Sequence, residues 1–304
     1  DNPDAPQEYT DIEGTDLTLA YSLNPSPSLH TYSLFSILIP VVFLSFILLY
    51  AVLLFVYNRS IIVPVHELYC QICEIIENNL KEEGIDTRYI AFDEDSASGV
   101  ALISVDDHAE NSIVVASGAN MLLNEQDVDK MLEEMCEGDI LLMQLEIPLQ
   151  TVEYAARKAF GKGVKVVLNP APARSLPKEL FRHLYMVTPN RIEAEMLTGI
   201  KIANDADVEK VAEEICAMGV KNVIITLGSK GCLIREEGVS YRIDAFKVEP
   251  VDTTAAGDTF NGALCVGLSE GMDLKQAAVM ASKASSIAVT RMGAQSSIPY
   301  REEL

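Results

Sequence analysis

Basic residues are scarce in this 304-residue chain: 23 lysines and arginines face 45 aspartates and glutamates, for a formal net charge of -22. A surface of that sign repels a phosphate backbone, which excludes nucleic acid as a partner and otherwise favours solubility. Cysteine is sparse too. Six are present and only Cys70 and Cys73 are closely spaced, so the dense disulfide framework of a small secreted domain is excluded. No second pair completes a set of four zinc ligands, and Cys70 and Cys73 read as helix residues rather than as a metal or redox site. No internal repeat is present.

The first 33 residues hold six acidic side chains, no lysine or arginine, and the stretch NPSPS. Such a composition cannot bury a core, and it predicts a polar tail that is disordered or laid on a surface. Residues 34–57, LFSILIPVVFLSFILLYAVLLFVY, carry no charge and are long enough to cross a bilayer as one helix. A cleaved signal peptide fits less well, because no basic segment precedes the run and no small-residue cleavage site follows it. Arg59 and Lys81 come after the span, and the positive-inside tendency then puts the C-terminal part in the cytoplasm of a single-pass membrane protein. The last four residues, Arg301 to Leu304, look like a lumenal retention tetrapeptide, which contradicts that orientation; the other reading is the start of a last helix.

Val65, Leu68, Tyr69, Ile72, Ile75, Ile76 and Leu80 recur at helical spacing, and this stripe ends at Gly84. Beyond it, apolar runs such as ILLMQL, VKVVLN, LYMVTP and NVIITLG alternate with amphipathic stretches. Strands alternating with helices predict a mostly parallel sheet covered on both faces. The alternation is expected to break once, where SGVALISVDD and NSIVVAS meet through the polar turn HAE and form an antiparallel hairpin, a flap or an edge.

The strongest chemical signal runs from Asp252 to Gly262, DTTAAGDTFNG, after a strand-like stretch and into an apolar helix. Ala255, Ala256 and Gly257 are small enough for the amides of a helix N-terminus to approach an anion, which makes this an anion hole for phosphate. Asp258 at the same spot can take a proton from a hydroxyl while the hole stabilises the charge on a transferring phosphoryl group. Taken alone, Asp258 could equally be a helix cap.

The whole string resembles the C-terminal signature of the ribokinase family of carbohydrate kinases. Further stretches resemble the same family in the same order: NPAPA at 169–173, TPNRIEAEMLTG at 188–199, TLGSKG at 226–231 and RMGAQSS at 291–297. The resemblance implies the family's three-layer α/β/α fold with a β-hairpin flap, and transfer from ATP to a sugar, most closely D-ribose, with Asp258 as catalytic base. It implies nucleotide binding by Asn190, Thr226, Leu227, Gly228, Ser229, Lys230, Gly231 and Gly257, with Glu193 holding Mg²⁺ through water. It implies K⁺ held by Asp252, Thr254, Ala288, Arg291, Gly293 and Ser297, mostly through backbone oxygens. Glu146 would touch the sugar beside Asp258, and the flap would join two copies as a homodimer.

The resemblance begins near residue 81, within a kinase region expected to span 65–304. The family's opening strand with its sugar-binding aspartate and its GGKGAN clamp have no counterpart in residues 1–80. Holding an acceptor hydroxyl in line contributes about 7–11 kcal/mol in well-oriented systems, so such a chain is expected to turn over weakly. Three readings stand side by side: a membrane segment joined to an unrelated cytoplasmic kinase, a genuine membrane-anchored nucleotide-binding protein without transferase activity, and a kinase completed by another chain.

Overall fold

The computed structural model describes residues 7–11, 18–22, 29–62, 77–93, 95–105 and 111–304. These fall into two compact units, Asp1–Ile85 and Asp86–Leu304.

In the first unit, β1 (Gln7–Asp11) pairs antiparallel with β2 (Thr18–Ser22), Tyr9 opposite Ala20. The acidic tail, expected to be disordered or surface-laid, contains paired strands. The strands use the tail's β-prone residues, Tyr9, Thr10, Leu19 and Tyr21, in a pairing that is at best marginal by itself. Helix α1 (Leu29–Tyr57) begins five residues before the apolar run and continues as a π turn over Asn58–Ile62. Its segment Leu38–Ser60 has a mean hydropathy of 2.8 and is fully exposed, so by length and composition it can cross a membrane. Residues 63–76, which hold Cys70, Cys73 and most of the stripe from Val65 to Leu80, lie outside the described residues. Residues 77–82 are helical, with a Glu77–Lys81 ion pair at 2.6 Å, and Gly84 turns the chain at φ 76°.

The second unit is built on a six-stranded sheet in the order β10-β9-β8-β7-β6-β5. These strands are β5 (Ile140–Met143), β6 (Lys165–Leu168), β7 (Met186–Val187), β8 (Asn222–Thr226), β9 (Cys232–Glu236) and β10 (Val239–Ile243). The helices are α2 (Glu125–Glu134), α3 (Leu149–Gly161), α4 (Lys178–Phe181), α5 (Arg191–Thr198), α6 (Asp205–Ala217), α7 (Ala256–Ser269) and α8 (Leu274–Ala288).

Strand alternation divides the apolar residues between two cores. Val166, Leu168, Val187, Val223 and Ile225 pack with Val128 and Leu132 of α2, Val152 and Ala156 of α3, and Val211 and Ile215 of α6. Val167, Met186, Ile224 and Ile234 point the other way, onto Phe260 and Leu264 of α7 and Ala277 and Ala281 of α8. The expected three layers follow. Helices α7 and α8 pack closely because Gly267 has no side chain: a Cβ there would lie 3.0 Å from that of Ala277.

Pairs β5–β6, β6–β7 and β7–β8 are parallel, whereas β8–β9 and β9–β10 are antiparallel. The alternation thus breaks a second time, at the far edge, where only one break was expected. The connection from Thr226 to Cys232 is too short for a crossover, which a parallel neighbour would need. Glu237 and Gly238, with φ of 49° and 81°, then make a two-residue hairpin turn. The expected hairpin is present as a separate sheet, β3 (Val100–Val105) with β4 (Asn111–Ala116), Val100 opposite Ala116. Its connection, 106–110, lies outside the described residues.

Candidate active site

The parallel strands β5 to β8 all end on the same side, and each is followed by a polar residue or loop; in open α/β sheets this is where ligands bind. Main-chain bonds extend the ladder beyond the strands: Asn169 donates to the Met143 carbonyl at 2.9 Å, Thr188 to Leu168 at 3.0 Å and Thr226 to Pro189 at 3.0 Å. That extension sets Gln144, Asn169 and Thr188 side by side. Their side chains form one circuit. Gln144 Nε2 donates to Asn169 Oδ1 at 3.1 Å and to Asp258 Oδ1 at 2.7 Å. Asn169 Nδ2 donates to the Thr188 carbonyl at 3.1 Å, and Thr188 Oγ1 donates to Asn261 Oδ1 at 2.6 Å. Asn261 Nδ2 closes the circuit on the Gly257 carbonyl at 2.9 Å. Asn169, Thr188 and Asn261 are buried, while Asp258 is exposed in the first turn of α7.

The turn into α7 is strained at Ala255, whose φ of 58° is left-handed, a conformation costly for a residue with a Cβ. The strain swings the small residues Ala255 to Gly257 around the helix start. The Ala256 amide donates to the Thr253 carbonyl at 3.3 Å, and Ser285 Oγ donates to the Ala256 carbonyl at 2.9 Å, tying the turn to α8. Asp252 is buried and accepts from the Thr254 amide at 2.9 Å and the Gly293 amide at 3.0 Å. The Thr254 hydroxyl and these two amides hold its carboxyl below the usual aspartate range.

The expected cation residues are brought together in part. Asp252 joins Thr254 to Gly293, and the Val289 carbonyl next to Ala288 accepts the Val251 amide at 2.7 Å and the Asp252 amide at 3.2 Å. The Arg291 amide donates to the Ala288 carbonyl at 3.0 Å, and Ser297, fully buried, donates its hydroxyl to the Ala294 carbonyl at 2.7 Å. The Arg291 side chain turns to Glu303 in an ion pair, so only its main chain remains for the loop. Residues Arg301–Glu303 form a single 3-10 turn, in keeping with the helix-start reading of that tetrapeptide.

Asn190 and Glu193 cap α5 reciprocally: Asn190 Oδ1 accepts the Glu193 amide at 2.9 Å, and Glu193 accepts the Asn190 amide and Nδ2, both at 2.8 Å. Burial pushes the Glu193 carboxyl up, opposed by the Asn190 amide. A bridge between Asn190 and Thr226 sets this cap beside the loop Thr226 to Gly231. In that loop the Leu227 amide donates to the Gly231 carbonyl at 2.8 Å. Gly231 has φ 78°, and a Cβ on it would fall 1.9 Å from the Ile243 carbonyl oxygen, so β10 presses the loop against a bare backbone. Gly228, Ser229 and Lys230 form its 3-10 turn.

The residue of LLMQLEIP that meets Asp258 is Gln144, two positions before Glu146, which is half-buried in the following loop. Sequence reasoning passed over Gln144, Asn169, Thr188 and Asn261 as site residues. A weak signal was present: a polar residue directly after each of β5, β6 and β7, at the end where ligands bind.

Compared with known proteins, residues 71–301 match the model of the pfkB family carbohydrate kinase. A ribokinase of Haemophilus influenzae is 46% identical over 228 residues, covering 75% of this chain and 74% of that protein. The crystal structure of ribokinase from Thermotoga maritima superposes with a TM-score of 0.66 at 40% identity, over 76% of this chain and 75% of the other. The structure of Arabidopsis thaliana ribokinase complexed with ribose and ATP gives a TM-score of 0.62 at 28% identity, over 70% and 72%.

Proposed function

Because the chain belongs to the pfkB family of carbohydrate kinases, we propose that it transfers the γ-phosphoryl group of ATP to the 5-hydroxyl of D-ribose. The observation that carries this reading is the placement of Asp258 in the first turn of α7, beside the small-residue turn and at the carboxyl ends of the parallel strands. One carboxylate oxygen takes the hydroxyl proton as the sugar oxygen bonds to phosphorus and ADP leaves. The turn Ala255 to Gly257 supplies main-chain amides to the charge on the moving group, that of Ala256 on leaving the Thr253 carbonyl. Asn190 and the loop Thr226 to Gly231 hold the nucleotide, and Glu146 meets the sugar.

The donors suit two cations. Glu193 is an oxygen donor whose carboxyl is already committed to Asn190, which fits contact with Mg²⁺ through water. Two loops tied side by side by Asp252 and the Val289 carbonyl fit K⁺ between them, held by Asp252, Thr254, Ala288, Arg291, Gly293 and Ser297. A Mg²⁺ ion held through Glu193 would supply positive charge against the phosphate groups. Membrane attachment through residues 34–57, a cytoplasmic kinase region over 65–304 and pairing of two copies through the flap complete the proposal.

The test is ADP release by the full chain in detergent, given ribose, ATP, Mg²⁺ and K⁺, against Asp258→Asn. Turnover should fall by about 100-fold or more in the variant, the range of a lost general base. No ribose-dependent release above the Asp258→Asn background sinks the reading. ATP raising the melting temperature while ribose does nothing would instead favour a nucleotide-binding protein without transferase activity.

A further inference from the structure

We propose that Gln144 is a positioning residue that decides which carboxylate oxygen of Asp258 faces the acceptor hydroxyl. The inference rests on the reading of Asp258 as the base.

The argument is one of donor polarity. Asn169 spends Nδ2 on the Thr188 carbonyl, so the side it shows Gln144 is the acceptor Oδ1. Gln144 must therefore present its amino group. That group has two hydrogens: one goes to Asn169, and the other is left for Asp258 Oδ1. At the far end of the circuit, Asn261 spends Nδ2 on the Gly257 carbonyl and offers Oδ1 to the Thr188 hydroxyl. Adjacent residues are thus tied to the strand ends, Gly257 through Asn261 to Thr188 and Asp258 directly to Gln144.

Two consequences follow for an exposed carboxylate on the first turn of a helix. Left alone, it would sample several rotamers and share both oxygens with water. An amide hydrogen on Oδ1 favours one rotamer and leaves Oδ2 as the less encumbered oxygen to receive a proton. An amide does not surrender its hydrogen at neutral pH, so the bond persists through the cycle. The bond is charge-assisted at 2.7 Å, the stronger kind.

The experiment uses the full chain in detergent with glutamine-selective nitrogen-15 labelling, in wild type, Gln144→Met, Gln144→Glu and Asp258→Asn. Gln144→Met removes the signal of Gln144 and so assigns it. The expected result is that the Gln144 side-chain amide signal moves in Asp258→Asn. In turnover, Gln144→Met should lower kcat by about 10- to 100-fold, the scale of a misaimed reacting group, with the KM for ATP within about twofold. Gln144→Glu, which sets a second carboxylate against Asp258, should fall further. Melting temperatures close to wild type would show that the losses are not unfolding. An amide signal indifferent to Asp258→Asn, or an undiminished kcat in Gln144→Met, overturns the proposal. Absence of turnover in the wild type removes the kinase reading instead, and the amide signal still decides whether Gln144 holds Asp258.

Discussion

Asp252 and Gly293 are joined by a hydrogen bond of 3.0 Å from the Gly293 amide to the Asp252 carboxylate, across 41 residues of chain. The bond ties the start of the DTTAAGD turn to the loop after α8, and it uses a glycine at φ 93°. The two stretches therefore behave as one loop.

Gly228 and Gly231 both have positive φ in the loop after β8, yet alanine should act differently at each. Nothing lies within 4 Å of a Cβ at Gly228, so Gly228→Ala meets only the left-handed penalty, about 1–2 kcal/mol. Gly231→Ala must also displace the Ile243 carbonyl, since its Cβ would lie 1.9 Å away. Urea unfolding followed by circular dichroism should rank Gly231→Ala clearly below Gly228→Ala; equal costs would contradict the packing of β10 on this loop.

Thr259 is buried, and among the described residues its hydroxyl has no hydrogen-bond partner. Valine keeps the shape and removes the unsatisfied group. Thr259→Val is expected to be neutral or to stabilise by about 1 kcal/mol, the low end of the cost of an orphaned polar atom. A loss of more than about 1 kcal/mol in the same unfolding measurement would show that the hydroxyl has a partner.

Glu195 accepts Lys201 Nζ at 2.7 Å and the Ile202 amide at 3.1 Å, with Lys201 first, and the two hold its carboxyl below the ordinary glutamate range. A carboxyl lowered in the folded state adds stability above its unfolded pKa, and the gain is lost as pH falls through the folded value. Glu195→Gln should therefore be less stable than wild type near neutral pH, and the gap should close on acidification below the glutamate range. A gap that widens in acid would contradict the assigned direction.

Among the described residues β5 pairs with β6 alone, and Leu142 on it is 38% exposed. An apolar edge strand invites pairing between molecules, and a charge on it opposes that. Leu142→Glu should lower the apparent mass in light scattering of the detergent-solubilised chain wherever the wild type self-associates, with the melting temperature little changed. Unchanged self-association would place the contact elsewhere.

Much of the molecule was legible in the chain itself. Alternation in VKVVL and NVIIT determined which side chains enter each core, because successive residues of a strand face opposite ways. The small residues before Asp258 marked the start of a helix, and the apolar run around Leu44 determined a helix able to span a bilayer. These are properties of neighbours along the chain. What only the tertiary structure decided was the company of Asp258. Gln144 lies 114 positions away, and the two meet because β5, β6 and β7 pair in one register and α7 packs on one face of the sheet with its first turn at their ends. A hydrogen bond tolerates a few tenths of an ångström, whereas sequence spacing says nothing of register between distant strands. The same reason hid the antiparallel edge at β9 and β10, where the packing of Gly231 against Ile243 exists only after the strands have paired.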